Sequence, residues 1–153
     1  MIHDGRSFVV NILSLPFNAR VGITLSTQDD CLQALDSGCC HENHLRTIHS
    51  SALFAEAEAT SGEFLNRSRG ERTDVGGVVR RSAAKYLRPA TGVVSSRVKT
   101  EREVIVEAIA TVDTRGKALV EINIEIFDQE GKQVGSFGFT WLIALETFKN
   151  GGS

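Results

Sequence analysis

The chain has 153 residues, with 17 Lys and Arg against 19 Asp and Glu, a net charge of −2 and 41% apolar residues. This size and composition fit one globular domain and exclude an intrinsically disordered chain. The slightly negative net charge does not indicate a basic surface for nucleic-acid binding. No apolar stretch is long enough to span a bilayer. We therefore expect one cytoplasmic domain over residues 1–153, with its core at about 20–145 and a flexible tail at 149–153.

Two short strands are predicted near the N-terminus, over residues 20–27 and 31–37. A helix follows from residue 50 to about 65, because two capping-type serines precede a run of strong helix formers. Gly62 is its weak point. Apart from its two glutamates, the middle of this helix is apolar on every side, which is typical of a helix surrounded by protein.

The second half of the chain predicts antiparallel strands, because apolar and polar residues alternate with a period of two. The predicted strands cover residues 78–87, 92–100, 104–112, 118–128 and 134–145. Residues 113–116 and 129–132 are predicted turns, and Pro89 lies in a break because proline has no N–H for a strand ladder. One buried helix with a sheet packed over it is an α+β fold.

The two glutamates of the helix are candidate functional groups. Glu56 and Glu58 lie about 200° apart around the helix and cannot share a face. A buried ionised carboxylate is costly unless it has partners or a role. Glu58 is the stronger functional candidate. For Glu56, a functional role and a position at an exposed edge or an oligomer interface are equally favoured. Ser61, one turn beyond Glu58, is expected to be a surface hydroxyl.

The residues from Asn43 to Ser50 lead directly into the N-terminus of this helix. A helix N-terminus presents unpaired backbone N–H groups and a positive dipole potential. Those groups can hold a carbonyl oxygen and stabilise the charge that it gains during acyl transfer. A carboxylate further along the helix can then act as a nucleophile or a general base. Taken alone, this pattern is common.

The order and spacing of these residues resemble a known family. An asparagine, a histidine, two glycines and an acidic residue at the head of a long apolar helix mark the hotdog-fold acyl-CoA thioesterases of the phenylacetate-pathway and 4-hydroxybenzoyl-CoA type. This sequence has Asn43, His49 and Glu58 at that spacing, with Ser50 and Ser51 in place of the two glycines. The resemblance extends over about residues 20–145.

The resemblance implies a hotdog fold, in which a five- to seven-stranded antiparallel sheet wraps one long central helix. It implies that Glu58 is the catalytic carboxylate and that the Ser50 N–H binds the thioester oxygen. Asn43 would orient the carbonyl or the attacking water, and His49 would brace the loop. In such proteins the site crosses the interface of a homodimer, or of a homotetramer built from dimers. Glu58 would therefore face Asn43 and Ser50 of a second copy of the chain.

The resemblance also implies that CoA enters as part of the substrate, with no separate cofactor. Its phosphates would lie near basic side chains, for which the candidates are Arg80, Arg81, Lys85 and Arg88. No metal site is expected, because Cys31, Cys39 and Cys40 with the nearby histidines do not have the spacing of a zinc site. Free thiols are expected instead. The expected partners are an acyl-CoA thioester and a second copy of the chain, without nucleic acid or a membrane.

Two alternatives remain at this point. The serines at positions 50 and 51 favour a non-catalytic acyl-CoA or lipid binder, or a structural dimer, because a hydroxymethyl group can narrow a pocket in which glycine allows close approach. His44 lies fourteen positions before Glu58, as in hotdog dehydratases. The Pro-Gly-rich loop of those enzymes is missing, however, so a dehydratase is the weaker alternative.

Overall fold

The computed structural model describes residues 10–36 and 38–146. Its helices there are α1 (Pro16–Val21), α2 (Ser50–Ser68) and α3 (Arg102–Arg115). Its strands there are β1 (Ile23–Leu25), β2 (Gln33–Asp36), β3 (Val75–Tyr86), β4 (Val93–Val98), β5 (Lys117–Phe127) and β6 (Gln133–Leu145). The predicted α+β class is confirmed. The predicted tail at 149–153, and Ser37 at the end of a predicted strand, lie outside the described residues.

The six strands form one sheet in the order β1-β2-β4-β5-β6-β3, with every neighbouring pair antiparallel. This number lies within the predicted range of five to seven. Ile122 lies opposite Phe139 and Ile124 opposite Phe137, and all four side chains are buried. The period of two in the sequence therefore marks the buried face of β5 and β6. Of the described helices, none combines the length and apolar character needed to cross a bilayer.

Helix α2 is the central helix, and protein covers more than one of its sides. Leu53 and Ala57 belong to the main core, which the sheet also builds. Ala55 and Ala59 belong to a second cluster on another side, together with Ile12 and Ile23. The prediction of a helix surrounded by protein is confirmed, and the helix ends at Ser68, slightly beyond its predicted end.

The second cluster depends on a short N-terminal unit that the sequence analysis missed. A 3₁₀ turn over Ile12–Ser14 leads into α1, which has Pro16 at its first position and ends at Gly22 with φ +84°. Proline suits the first position of a helix, and glycine suits the left-handed residue that ends one. The predicted strand over 20–27 was wrong at its start, since α1 extends to Val21 and β1 begins at Ile23.

The predicted strand over 104–112 was wrong, because these residues form most of α3. The buried residues of α3 are Ile105, Ala108, Ile109 and Val112. Their spacing of three and four is that of one helix face. The many β-branched residues of this segment favour a strand locally, but packing against the sheet and α2 selects the helix. The predicted turn at 113–116 is the last turn of α3, which ends at Gly116 with φ +79°.

The helical assignment of α3 predicts which of two adjacent side chains supports the fold. Ile105 is fully buried, whereas Val106 is 52% exposed. We expect Ile105→Ala to lower the free energy of unfolding by about 2–5 kcal/mol. Val106→Ala should change it by less than about 0.5 kcal/mol. Urea unfolding of both variants measures the difference. A strand over 104–112 would bury Val106 instead, so the reverse order of effects would contradict the assignment.

Candidate active site

The N-terminus of α2 presents a backbone N–H group that has no acceptor among the described residues. His49 is the N-cap residue, and its Nδ1 accepts a hydrogen bond from the Ser51 N–H at 3.0 Å. The Ala52 N–H donates to the His49 carbonyl oxygen at 2.9 Å. No described residue accepts a hydrogen bond from the Ser50 N–H. That donor therefore remains available at the positive end of the helix.

The loop before α2 is organised by Asn43. Its Oδ1 accepts from the backbone N–H groups of Leu45 at 2.9 Å and Thr47 at 3.2 Å, and its Nδ2 donates to Thr47 Oγ1 at 2.9 Å. An amide nitrogen carries two hydrogens, so one remains for a ligand. The loop is joined to the segment after β3 by the Ile48 N–H, which donates to the Ala90 carbonyl oxygen at 2.8 Å.

These two segments line an open cavity of about 410 Å³, which is within the usual range for small-molecule sites. Its polar wall includes Asn43, His44, His49, Ser50 and Arg88. Leu53, Tyr86 and Leu87 supply apolar surface. Three of the four predicted catalytic residues therefore line one cavity, which we call the helix-end cavity.

Glu58 lies in a different cavity of the same chain. That cavity has a volume of about 230 Å³, and Phe17, Asn18 and Trp141 are among its walls. The Glu58 side chain is half-buried, and this burial raises its pKa above the usual range of a glutamate. Ser50 and Glu58 are eight residues apart, which is about 12 Å along the helix axis. Within one chain, the acid and the free N–H group therefore face separate spaces.

The four basic residues predicted to contact CoA do not lie together. Arg88 lines the helix-end cavity. Lys85 lies beside Ala83 and Ser136 in a groove of the sheet. Arg80 and Arg81 are exposed on β3, at a bulge in its pairing with β6.

The structure also places the cysteines and candidate metal ligands. Cys31 and Cys40 are free thiols, and the side chain of Cys39 is not among those that the structure describes. Among the residues that the structure describes, no three His, Cys, Asp or Glu side chains are grouped as a metal site would require.

Residues 8–143 match the family described as "Domain of unknown function (DUF4442)". The chain belongs to the DUF4442 family. This family is of the hotdog type, in agreement with the predicted fold. No curated protein sequence matches this DUF4442 chain.

Several solved structures share the fold of this DUF4442 chain. A Pseudomonas aeruginosa protein of unknown function, described as a probable thioesterase, has a TM-score of 0.75 and 21% identity, with 88% of this chain and 91% of that chain covered. A Haemophilus influenzae thioesterase has a TM-score of 0.64 and 18% identity, with 88% and 86% covered. A Bacillus halodurans protein solved with CoA has a TM-score of 0.57 and 13% identity, with 72% and 69% covered. These likenesses confirm the predicted hotdog fold.

The other glutamate of α2 is buried on the side that faces β2 and β4. Glu56 is 0% exposed, and its Oε1 accepts a hydrogen bond from Ser96 Oγ at 2.7 Å. Beside it, Thr60 Oγ1 donates to Gln33 Oε1 at 3.1 Å. Glu56 Oε2 and Gln33 Nε2 are buried without a hydrogen-bond partner among the described residues. The predicted position of Glu56 at an exposed edge was therefore wrong. Its burial raises its pKa well above the usual range.

Ser61 is likewise buried, and the expectation of a surface hydroxyl was wrong. Its Oγ donates to the Glu58 carbonyl oxygen at 2.7 Å and accepts from Trp141 Nε1 at 3.1 Å. Sequence reasoning gave no signal for this contact, since Trp141 is eighty positions away.

The burial of Glu56 predicts a pH-dependent stability. The folded chain holds the Glu56 proton to a higher pH than the unfolded chain, in which the pKa is about 4.3. The free energy of unfolding therefore falls as pH rises above that value and through the folded-state pKa. We expect a fall of more than about 1 kcal/mol between pH 5 and 8, relative to Glu56→Gln. Chemical unfolding at each pH measures this difference.

Glu107→Gln is the matched control, because Glu107 is exposed on α3; it should keep the wild-type pH profile. Among the described residues, the Cys31 thiol is a titratable group in electrostatic contact with Glu56, and Arg97 in turn acts on that thiol. Burial raises the pKa of the Cys31 thiol, so it titrates above this pH window. Parallel profiles for the wild type and Glu56→Gln would show that Glu56 is not the group responsible.

Proposed function

We propose that this chain is an acyl-CoA thioesterase, which hydrolyses a thioester to a carboxylic acid and CoA. The observation that carries the proposal is the pair of groups on α2. The Ser50 N–H, for which no described residue is an acceptor, lies at the positive helix end, and half-buried Glu58 lies further along. Two proteins that share the fold are called thioesterases, and a third was solved with CoA.

The chemistry follows from these two groups. The Ser50 N–H donates to the thioester carbonyl oxygen and stabilises the negative charge that develops there. Glu58 removes a proton from water as the water oxygen attacks the carbonyl carbon. The C–S bond then breaks, and the CoA sulfur takes the proton from Glu58. If Glu58 itself attacks the carbonyl carbon, the C–S bond breaks, and an anhydride and the CoA thiolate form. Water then cleaves the anhydride to release the carboxylic acid and regenerate Glu58, and the thiolate takes the proton that the water loses.

A second copy of the chain would bring the two groups together. Strand β3 lies at one end of the sheet, and residues 80–86 of it are exposed. A long exposed edge strand presents N–H and carbonyl groups to another chain. We infer a homodimer that pairs through β3, with Glu58 of one protomer facing Asn43 and Ser50 of its partner.

The same proposal assigns the CoA contacts. Arg88 lines the helix-end cavity beside Ser50, so it is the cation best placed for a CoA phosphate. CoA enters as part of the substrate, and no separate cofactor takes part in the chemistry. The free thiols of Cys31 and Cys40 fit a reducing compartment such as the cytoplasm.

Glu58→Gln tests the catalytic acid. We expect kcat/KM for acyl-CoA substrates to fall at least about 10²-fold, because an amide cannot accept the proton. In the wild type, activity should rise with pH through a value above the usual pKa of a glutamate, since burial raises the pKa of Glu58. Thiol release from short, long and aromatic acyl-CoAs measures both effects.

Glu107→Gln on α3 again serves as the control, and it should keep wild-type activity. Thermal melting establishes that the Glu58→Gln protein is folded. Unchanged kcat/KM in folded Glu58→Gln would remove Glu58 from the mechanism. Thermal stabilisation by free CoA, without thiol release from any acyl-CoA, would indicate the non-catalytic binder instead.

A mixture of two inactive variants tests whether the site crosses two chains. Ser50→Pro removes the backbone N–H at the first helical position, where proline is well tolerated. His49 before it has an extended backbone, φ −60° and ψ 136°, which also suits a following proline. Refolding Ser50→Pro together with Glu58→Gln should restore about a quarter of wild-type activity, because half of the symmetric dimers are mixed and each contains one intact site.

Ser50→Ala is the matched control for the proline variant, because it keeps the N–H and loses only the hydroxyl. We expect its kcat/KM to exceed that of Ser50→Pro by about 10²-fold. If both groups of a site come from one chain, every site in a mixed dimer carries a defect. A mixture no more active than its components would therefore contradict the shared site.

A further inference from the structure

The cavity beside Glu58, which we call the Glu58 cavity, has two polar side chains with free hydrogen-bonding atoms in its wall. They are Asn18 of α1 and Glu58 of α2. The indole N–H of Trp141 is already used, because it donates to Ser61 Oγ at 3.1 Å. The other described wall residues have apolar side chains or none: Ile12, Leu15, Phe17, Ala55, Ala59 and Gly62. A polar molecule in this cavity therefore has Asn18 and Glu58 as its side-chain partners.

The orientation of the Asn18 amide is fixed by a neighbouring turn. Asn18 is buried, and its Nδ2 donates to the Ile12 carbonyl oxygen at 2.9 Å. A carbonyl oxygen accepts hydrogen bonds and cannot donate them, so the amide nitrogen must face Ile12. This bond joins α1 to the 3₁₀ turn before it and holds the side chain against rotation.

The other end of the Asn18 amide, Oδ1, remains an available acceptor. No described residue donates a hydrogen bond to it. Oδ1 is not one of the fully buried polar atoms that lack a partner, so it keeps some accessible surface although the residue as a whole is 9% exposed. Because Asn18 lines the Glu58 cavity, we infer that Oδ1 accepts hydrogen bonds from molecules in this cavity.

We propose that Asn18 and Glu58 together hold the water molecule that attacks the thioester. This inference rests on the proposed thioesterase function. The cavity volume of about 230 Å³ leaves room for water, since one molecule occupies about 30 Å³ in the liquid. In a mostly apolar space, an ordered water needs two or more polar partners. The Glu58 carboxylate and the Asn18 amide supply two.

The two acceptors orient the water for reaction. One O–H donates to the Glu58 carboxylate and the other to Asn18 Oδ1, which leaves a lone pair of the water oxygen to attack the carbonyl carbon. Glu58 takes the first proton as the new C–O bond forms, and the CoA sulfur receives that proton when the C–S bond breaks. The second proton stays on the oxygen and becomes the hydroxyl proton of the carboxylic acid. Asn18 gains and loses no proton.

Asn66 provides a matched control for the structural part of this contact. Its Nδ2 donates to the Val10 carbonyl oxygen at 2.8 Å, much as Asn18 Nδ2 donates to Ile12. Both amides attach the same N-terminal segment by one hydrogen bond to its backbone. Asn66 is not a wall residue of the Glu58 cavity. Its loss should therefore affect the attachment of this segment without affecting the water.

Replacement of each asparagine by leucine, which has nearly the same shape and no acceptor, tests the proposal. For Asn18→Leu we expect kcat for acyl-CoA substrates to fall about tenfold to a hundredfold, because the attacking water loses one hydrogen bond. KM should stay within about twofold, since Asn18 contacts water and not acyl-CoA. Asn66→Leu should keep both constants within about twofold. Thiol release measures kcat and KM, and thermal melting establishes that both variants are folded.

Asn18→Asp separates the acceptor from the bond to Ile12. Both Asn18 variants lose the donor to the Ile12 carbonyl oxygen, but aspartate keeps an oxygen that accepts from water. We expect its kcat on the high-pH plateau to exceed that of Asn18→Leu at least about fivefold. Its activity should rise at a higher pH than that of the wild type, because a second carboxylate disfavours ionisation of Glu58. Among the described wall residues, Glu58 is the titratable one, so this shift reports on Glu58.

The water can also be observed without turnover or substitution. A high-resolution crystal structure of the wild type should show an ordered water about 2.6–3.2 Å from both the Glu58 carboxylate and Asn18 Oδ1. Asn18→Leu should lack this water, whereas Asn66→Leu should retain it. A wild-type structure without a water in contact with both side chains would overturn the proposal.

Failure of this inference and failure of the proposed function give different results. If the wild type hydrolyses acyl-CoA and Asn18→Leu is as active as Asn66→Leu, the role of Asn18 is overturned and the proposed function stands. If the wild type hydrolyses no acyl-CoA, the proposed function fails, and the role of the water as nucleophile fails with it even where the ordered water is present.

Discussion

The burial of α2 is the constraint on which the rest of this structure depends. A helix whose middle is apolar on every side needs protein on every side. The sheet and α3 supply the main core, while the 3₁₀ turn, α1 and β1 supply the second cluster around Ala55 and Ala59. Each covering element also shapes a wall beside the helix. The helix-end cavity and the cavity beside Glu58 are therefore consequences of how α2 is covered.

The same burial places the two acids of α2 in different environments. Glu56 faces β2 and β4, where Ser96 donates to one oxygen and the other has no partner among the described residues. Glu58 faces the smaller cavity of about 230 Å³ and is only half-buried. A fully buried carboxyl group favours its protonated form, so its ionisation lowers the free energy of unfolding as pH rises. A carboxyl group that lines a cavity can exchange protons with water and substrate. Rotation of about 200° around one helix produces this difference.

The serines at positions 50 and 51 do not remove the donor that acyl transfer needs. The Ser51 N–H is bound by His49, while no described residue accepts from the Ser50 N–H. What one chain lacks is proximity, because Ser50 and Glu58 line different cavities. The exposed β3 edge offers a way to join them by symmetry. Oligomerisation and catalysis would then be parts of one arrangement.

The sequence determined the elements whose signals are local. Alternation marked β5 and β6, and helix formers with caps marked α2, because period and capping are properties of neighbouring residues. Asn43, His49 and Ser50 at the head of α2 were predicted from the resemblance of their spacing to a known family, and these residues do line one cavity. Only the tertiary structure decided that residues 104–112 are helical and that Glu56 and Ser61 are buried. Each of these depends on a contact with a distant segment, such as Ser61 with Trp141. Sequence periodicity carries no information about which distant surface a residue will meet.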